Sequence, residues 1–156
     1  MKKIIIIAAA LFPSLFLLVA CHKSAYDTTS SNNNTTSVSS SAITGNWTIS
    51  SYVQRTEDKS SAFKGYVFTF NEVGKNSGTV HAVKSNNSVD GTWAYSPAVT
   101  YYGSTSKTSI TLNFGTNSPF DRISRAWNVD STSSATELRL SSPEVMEDEH
   151  LVFVKN

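Results

Sequence analysis

"YVFTFNEVGK", residues 66–75, sets an aromatic ring at every second position. Tyr66, Phe68 and Phe70 fall on one face, and Val67, Thr69 and Asn71 on the other. A side-chain period of two belongs to an extended strand. One apolar face beside a largely polar one belongs to an antiparallel sheet buried on one side, not to the continuous apolar run of a parallel sheet. The stretch that follows, Glu72–Gly78, is short enough for a hairpin turn.

The same texture recurs outward in both directions. Eight strands are expected: Asn46–Arg55, Tyr66–Asn71, Gly78–Lys84, Val89–Tyr95, Ser109–Phe114, Ala126–Asp130, Glu137–Ser141 and His150–Lys155. Trp93 and Tyr95 share a face, as do Ile110, Leu112 and Phe114, while Leu138 and Leu140 flank Arg139. Lys84–Ser88 is a second hairpin turn, and longer loops cover Thr56–Lys64, Ser96–Thr108, Gly115–Arg125 and Ser142–Glu149. In the third, Ser118 at N-cap, Pro119 at N1 and Asp121 in the first turn predict a short helical turn near 118–124. Tyr101 and Tyr102 lie in the second long loop and are expected to fold over the barrel mouth. Short strands joined mostly as sequential hairpins predict an all-β fold, an eight-stranded antiparallel up-and-down barrel or a closely related sandwich, and the barrel is favoured because closure removes exposed strand edges.

The first 44 residues have a different character. Lys2 and Lys3 precede an apolar run, Ile4 to Ala20, that Pro13 and Ser14 interrupt. That run is short and broken for a spanning helix and matches an export signal. His22–Thr44 follows, with 15 of its 23 residues Ser, Thr or Asn. It has little to bury, so a disordered tether is expected. Three regions result: a signal peptide over 1–20, an anchor and tether over 21–44, and a folded domain over 45–156.

Composition narrows the function classes. The chain has 13 basic and 12 acidic residues, and loss of Lys2 and Lys3 leaves 11 against 12. No basic surplus draws it to phosphates, so no nucleic-acid partner is expected. A single cysteine, Cys21, excludes an internal disulfide and a thiolate metal cage.

Two resemblances then enter. Leu18-Val19-Ala20-Cys21 resembles the bacterial lipobox, which implies cleavage after Ala20, a diacylglycerol on the Cys21 sulfur and a further acyl chain such as palmitate on its new amino group. Two chains hold a protein stably on a membrane. No acidic block follows Cys21, so an outer-membrane anchor with the protein facing the periplasm is expected. Further on, Gly45-Asn46-Trp47 is similar to the lipocalin G-x-W signature, and Gly91-Thr92-Trp93 repeats it. With "YVFTFNEVGK", "LNFGTNSPFDRISRAWNV", "TELRL" and "HLVFVK" in order, Gly45–Asn156 resembles the small lipocalin-like lipoproteins of Bacteroidetes. The resemblance implies a barrel with Trp47 plugging one end. The Thr-Asp-Tyr-like second motif of true lipocalins is missing, so it bears on fold more than on function.

Tyr66, Phe68, Phe70, Trp93, Tyr95, Ile110 and Leu112 are the candidate lining of a pocket for a small apolar ligand; the same residues would otherwise be core. No catalytic residue is assigned. His81 with Asp90 is the nearest approach to a catalytic pair, but nothing local orients it, and nucleophile-elbow, zincin and P-loop spacings are absent. No metal or other cofactor is expected, and "EVMEDEH" (144–150) lacks calcium-loop spacing and reads as a solvated acidic loop. Asp27-Thr28-Thr29 resembles the O-glycosylation acceptor pattern of Bacteroidetes and makes Thr28 a candidate. The leading expectation is therefore a non-enzymatic envelope lipoprotein that binds an apolar ligand. The second is an interaction or structural protein with a filled barrel that acts through its loops.

Overall fold

The computed structural model describes residues 38–156. Ala20, Cys21 and Thr28, with the signal peptide and most of the expected tether, lie outside the described residues.

All eight expected strands are present, several extended by a residue or more: β1 Gly45–Gln54, β2 Val67–Gly74, β3 Ser77–Lys84, β4 Asn87–Ser96, β5 Ser109–Asn113, β6 Ala126–Val129, β7 Glu137–Ser141 and β8 Glu149–Lys155. Each pairs antiparallel with the next, and β8 pairs back with β1 from Trp47↔Lys155 to Gln54↔Glu149. The sheet is a closed eight-stranded up-and-down barrel. A two-residue strand, Glu57–Asp58, pairs with the end of β1, and Thr100–Tyr101 pairs with Ser104–Thr105 in a separate small hairpin.

Alternation decides what points inward. Phe68, Phe70, Val80, Ala82, Trp93, Tyr95, Ile110, Leu112, Leu138, Leu140, Leu151 and Phe153 are all buried. In β1 the parity changes, with Trp47 and Ile49 inside and then Tyr52. A bulge between Ile49 and Ser51 absorbs the extra residue, as one unpaired residue in a ladder does.

Glycine permits two close arrangements. Gly45, at the head of β1, has φ +117°, which L side chains rarely adopt. At Gly78 a Cβ would stand 1.8 Å from the Asn71 carbonyl oxygen. That same oxygen accepts the Trp93 indole N–H at 3.1 Å.

Call the end where β1 begins the lower end. Residues 38–44, the last of the stretch expected as tether, pack on the barrel at this end. Ser40–Ile43 forms one helical turn, with Val38 and Ile43 buried. Those two apolar side chains, isolated in a polar stretch, find the lower end of the barrel as their apolar partner. The Trp47 indole donates to the Ile43 carbonyl at 2.7 Å, and Lys155 Nζ donates to the Ala42 carbonyl at 3.0 Å. The Tyr95 hydroxyl donates to the Val38 carbonyl.

At the upper end, a 3-10 turn at Ser60–Phe63 and another at Phe120–Arg122 insert Phe63 and Phe120. Their rings meet edge to face at 5.8 Å. The expected helical turn near 118–124 is thus present, but Ser118 does not cap it. The Ser118–Pro119 bond is cis, and no side chain caps the turn. Ser124 braces it instead, donating to the Phe120 carbonyl at 2.8 Å and accepting the Phe114 N–H at 2.9 Å.

Candidate functional site

The seven candidate pocket residues converge, but on one another. Phe68, Phe70, Trp93, Ile110 and Leu112 are at most 2% exposed, Tyr95 is 9% exposed, and Tyr66 is half-buried at the upper rim. Phe68 lies 5.3 Å from Phe153 and 5.9 Å from Phe114, and Phe70 lies 6.3 Å from Trp93. Tyr66 packs at 5.1 Å on Phe120. A void large enough for a ligand leaves accessible surface on the side chains that line it, and these deepest side chains have almost none. Edge-to-face rings fill the space. Trp47, at 1% exposure, is buried beneath the 38–44 segment at the lower end.

His81 and Asp90 face each other across β3 and β4 on the outer face, where they form an exposed hydrogen-bonded pair. Tyr101 and Tyr102 do not cover the mouth, contrary to expectation. They are 71% and 92% exposed, on the small hairpin at the lower end, with ring centroids 4.3 Å apart. The 38–44 segment already occupies the place they were expected to fill. Among the described residues, no three His, Cys, Asp or Glu side chains converge as a metal site would.

At the upper end Glu147 and Glu149, read from the sequence as part of a solvated acidic loop, belong instead to a polar constellation in which Glu149 is buried. A cleft of about 420 Å³ lies where β1 ends and β8 begins, lined by Gln54, Arg55, Thr56, Glu57, Glu147 and Glu149. Glu149 occupies an inward register position, in phase with Leu151 and Phe153, and its residue is only 4% exposed. Such a carboxylate requires partners. It has three: Gln54 Nε2 at 2.6 Å, Arg125 Nη1 at 3.2 Å and the Tyr52 hydroxyl at a long 3.5 Å. Arg125 also pairs with Glu147 and lies 5.4 Å over the Trp127 ring. Ser142 Oγ donates to Glu147 at 2.6 Å.

These contacts set the local ionisation. Burial, and then the Glu149 charge, push the Tyr52 hydroxyl up to about 12. The Ser142 hydrogen bond, then Arg125, hold the Glu147 carboxyl below its usual value. Arg55 has φ +56° and its N–H donates to the Asp148 carbonyl at 2.8 Å, which continues the β1–β8 pairing past Gln54 and Glu149. Among the described residues the Arg55 guanidinium has no ion-pair partner. The cleft therefore offers one cationic group, three carboxylates and an amide. This set suits hydrogen bonding to a polar or zwitterionic group.

The inward position of Glu149 was the available signal. Extending the last strand by one residue places this acid in phase with Leu151 and Phe153, and an inward acid needs a cation such as Arg125.

No protein-family model matches this chain, and no curated protein and no solved structure matches it either.

Proposed function

We propose that this chain is a lipid-anchored protein of the bacterial envelope that works by contact and without catalysis. Its barrel is a filled scaffold that presents the upper rim to a partner. The observation that carries this reading is the packed interior: an apolar ligand entering the barrel would have to displace the chain's own aromatic rings. The cleft beside Arg55 and Glu149 is the place left for polar recognition. Val145 and Met146, both 89% exposed, stand on the loop that also supplies Glu147, beside a cleft of mixed charge. A protein segment with one apolar side chain and polar backbone groups would suit both. The likeness to lipocalin-like lipoproteins and the lipobox support the anchor at Cys21.

Native mass spectrometry of protein extracted in mild detergent tests the first half. The expected mass is that of a chain starting at Cys21 with its acyl groups and no bound small molecule. An unacylated mass overturns the anchor, and a stoichiometric apolar ligand overturns the filled scaffold. A photo-crosslinking residue at Met146 tests the second half in intact cells. Discrete protein adducts are expected there and not from Thr79 on the barrel wall. Absence of adducts at Met146 overturns the rim as the working surface.

A further inference from the structure

We propose that the lower end of the barrel docks on the bilayer that carries the anchor, with the Tyr101–Tyr102 hairpin as the contact. The inference rests on the lipid-anchor reading and adds an orientation to it.

Three independent features coincide at this end. The chain enters the fold here, with the Val38 carbonyl held by the Tyr95 hydroxyl. Sixteen residues, 22–37, separate Cys21 from Val38. Fully extended they reach at most about 60 Å, and the tether joins the barrel at this end.

Second, exposed apolar surface gathers there. Val99, Tyr101 and Tyr102 on the hairpin are 60%, 71% and 92% exposed. Val73, 77% exposed, lies beside the adjoining turn, whose Asn76 carbonyl accepts the Tyr95 N–H at 2.7 Å. The turn at the hairpin tip takes positive φ at Tyr102 (+47°) and Gly103 (+81°). A tyrosine in that backbone region is uncommon, and here it thrusts the ring outward. Tyrosine, with an apolar ring and a polar tip, favours the membrane–water interface.

Third, the charge pattern fits. Ser96–Thr108 contains no acid and one base, Lys107. Lys75 offsets Glu72 on the adjoining turn, and the acids of the remaining lower loop, Asp130 and Glu137, stand beside Lys155 and Arg139, which pairs with Glu137. The upper end also exposes Val145 and Met146, but their loop carries Glu144, Glu147 and Asp148 with Arg125 pairing only Glu147 among them, an acidic excess that an anionic headgroup surface repels. Docking from below would therefore leave the cleft pointing away from the membrane.

The test uses the full acylated chain in vesicles of phosphatidylethanolamine and phosphatidylglycerol. Acylation consumes the only native thiol, so Ser104→Cys and Met146→Cys each provide one labelling site, and both leave the tyrosines intact. Each is labelled with an environment-sensitive fluorophore, and the bilayer carries a lipid-borne quencher. Quenching at position 104 is expected to exceed that at 146 several-fold, and Tyr101→Ser with Tyr102→Ser should abolish the difference. Equal quenching at both positions on vesicle-bound protein overturns the docking and leaves the anchor intact. Persistence of the difference without the tyrosines overturns the hairpin as the contact. Protein that fails to float with the vesicles overturns the anchor, and the docking with it.

Discussion

The indole N–H of Trp47 donates to the carbonyl oxygen of Ile43 across 2.7 Å, which joins the first barrel strand to the segment before it. Lys155, from the last strand, lies 5.1 Å over the same indole and donates to Ala42. One ring therefore fastens the entry segment, β1 and β8 together.

Trp47→Ala should lower stability by about 3–5 kcal/mol, the usual cost of removing a large buried aromatic. Trp47→Phe keeps most of the volume and loses the hydrogen bond, for about 1–2 kcal/mol. Urea midpoints of the two variants separate packing from hydrogen bonding. A chain starting at Gly45 should also melt below one starting at Asn34, because it leaves Trp47 and Tyr95 without their acceptors.

Arg125→Met should be among the most damaging changes at the upper end, at about 3–5 kcal/mol, because it strands the buried Glu149 carboxylate. Adding Glu149→Gln should recover a large part of that loss. A double-mutant cycle in denaturant measures the recovery, and simple additivity would contradict the pairing.

Tyr52 sets an alkaline limit. Its folded value, about 12, lies above its ordinary 10.0. The neutral hydroxyl is thus favoured by folding, and its contribution is complete below pH 10 and lost as pH rises from 10 through about 12. A shift of that size corresponds to about 2–3 kcal/mol. Tyr52→Phe should flatten this part of the stability–pH curve. Glu147 acts in the opposite direction: its lowered carboxyl contributes above its ordinary value, and that contribution is lost as pH falls through the depressed one. Chemical denaturation across pH, with and without Tyr52→Phe, checks both limbs.

Gly78→Ala should destabilise the barrel severely, since the new methyl would meet the Asn71 carbonyl, which is backbone and cannot swing aside. Gly103→Ala has open space around it and should cost only the strain of its positive φ, roughly 1 kcal/mol. Thermal melts of the pair compare the cost of close approach at Gly78 with that of a positive φ at Gly103.

The strand pattern was legible because aromatic and β-branched residues alternate with polar ones from Tyr66 to Phe70 and from Ile110 to Phe114, and period two has no other cause. The β1 bulge was not legible: nothing in Ile49-Ser50-Ser51 marks which serine is extra. The lower cap was hidden because Val38 and Ile43 are sparse among serines, and sparse apolar residues matter only when a larger surface receives them. The upper cluster was missed because its members, Gln54, Arg125, Glu147 and Glu149, come from three distant parts of the chain. Periodicity within a strand reports which way a residue points, not which partner it meets there.

The seam between β1 and β8 carries a kinetic consequence. Trp47 meets Lys155 in that ladder, so the first strand formed waits for the last one synthesised. Until then both edges of the growing sheet are open, and the contacts that close the ring span most of the folded sequence. Such distant contacts slow folding and prolong exposure of strand edges to other chains. The barrel should therefore fold late and cooperatively, once β8 can pair with β1.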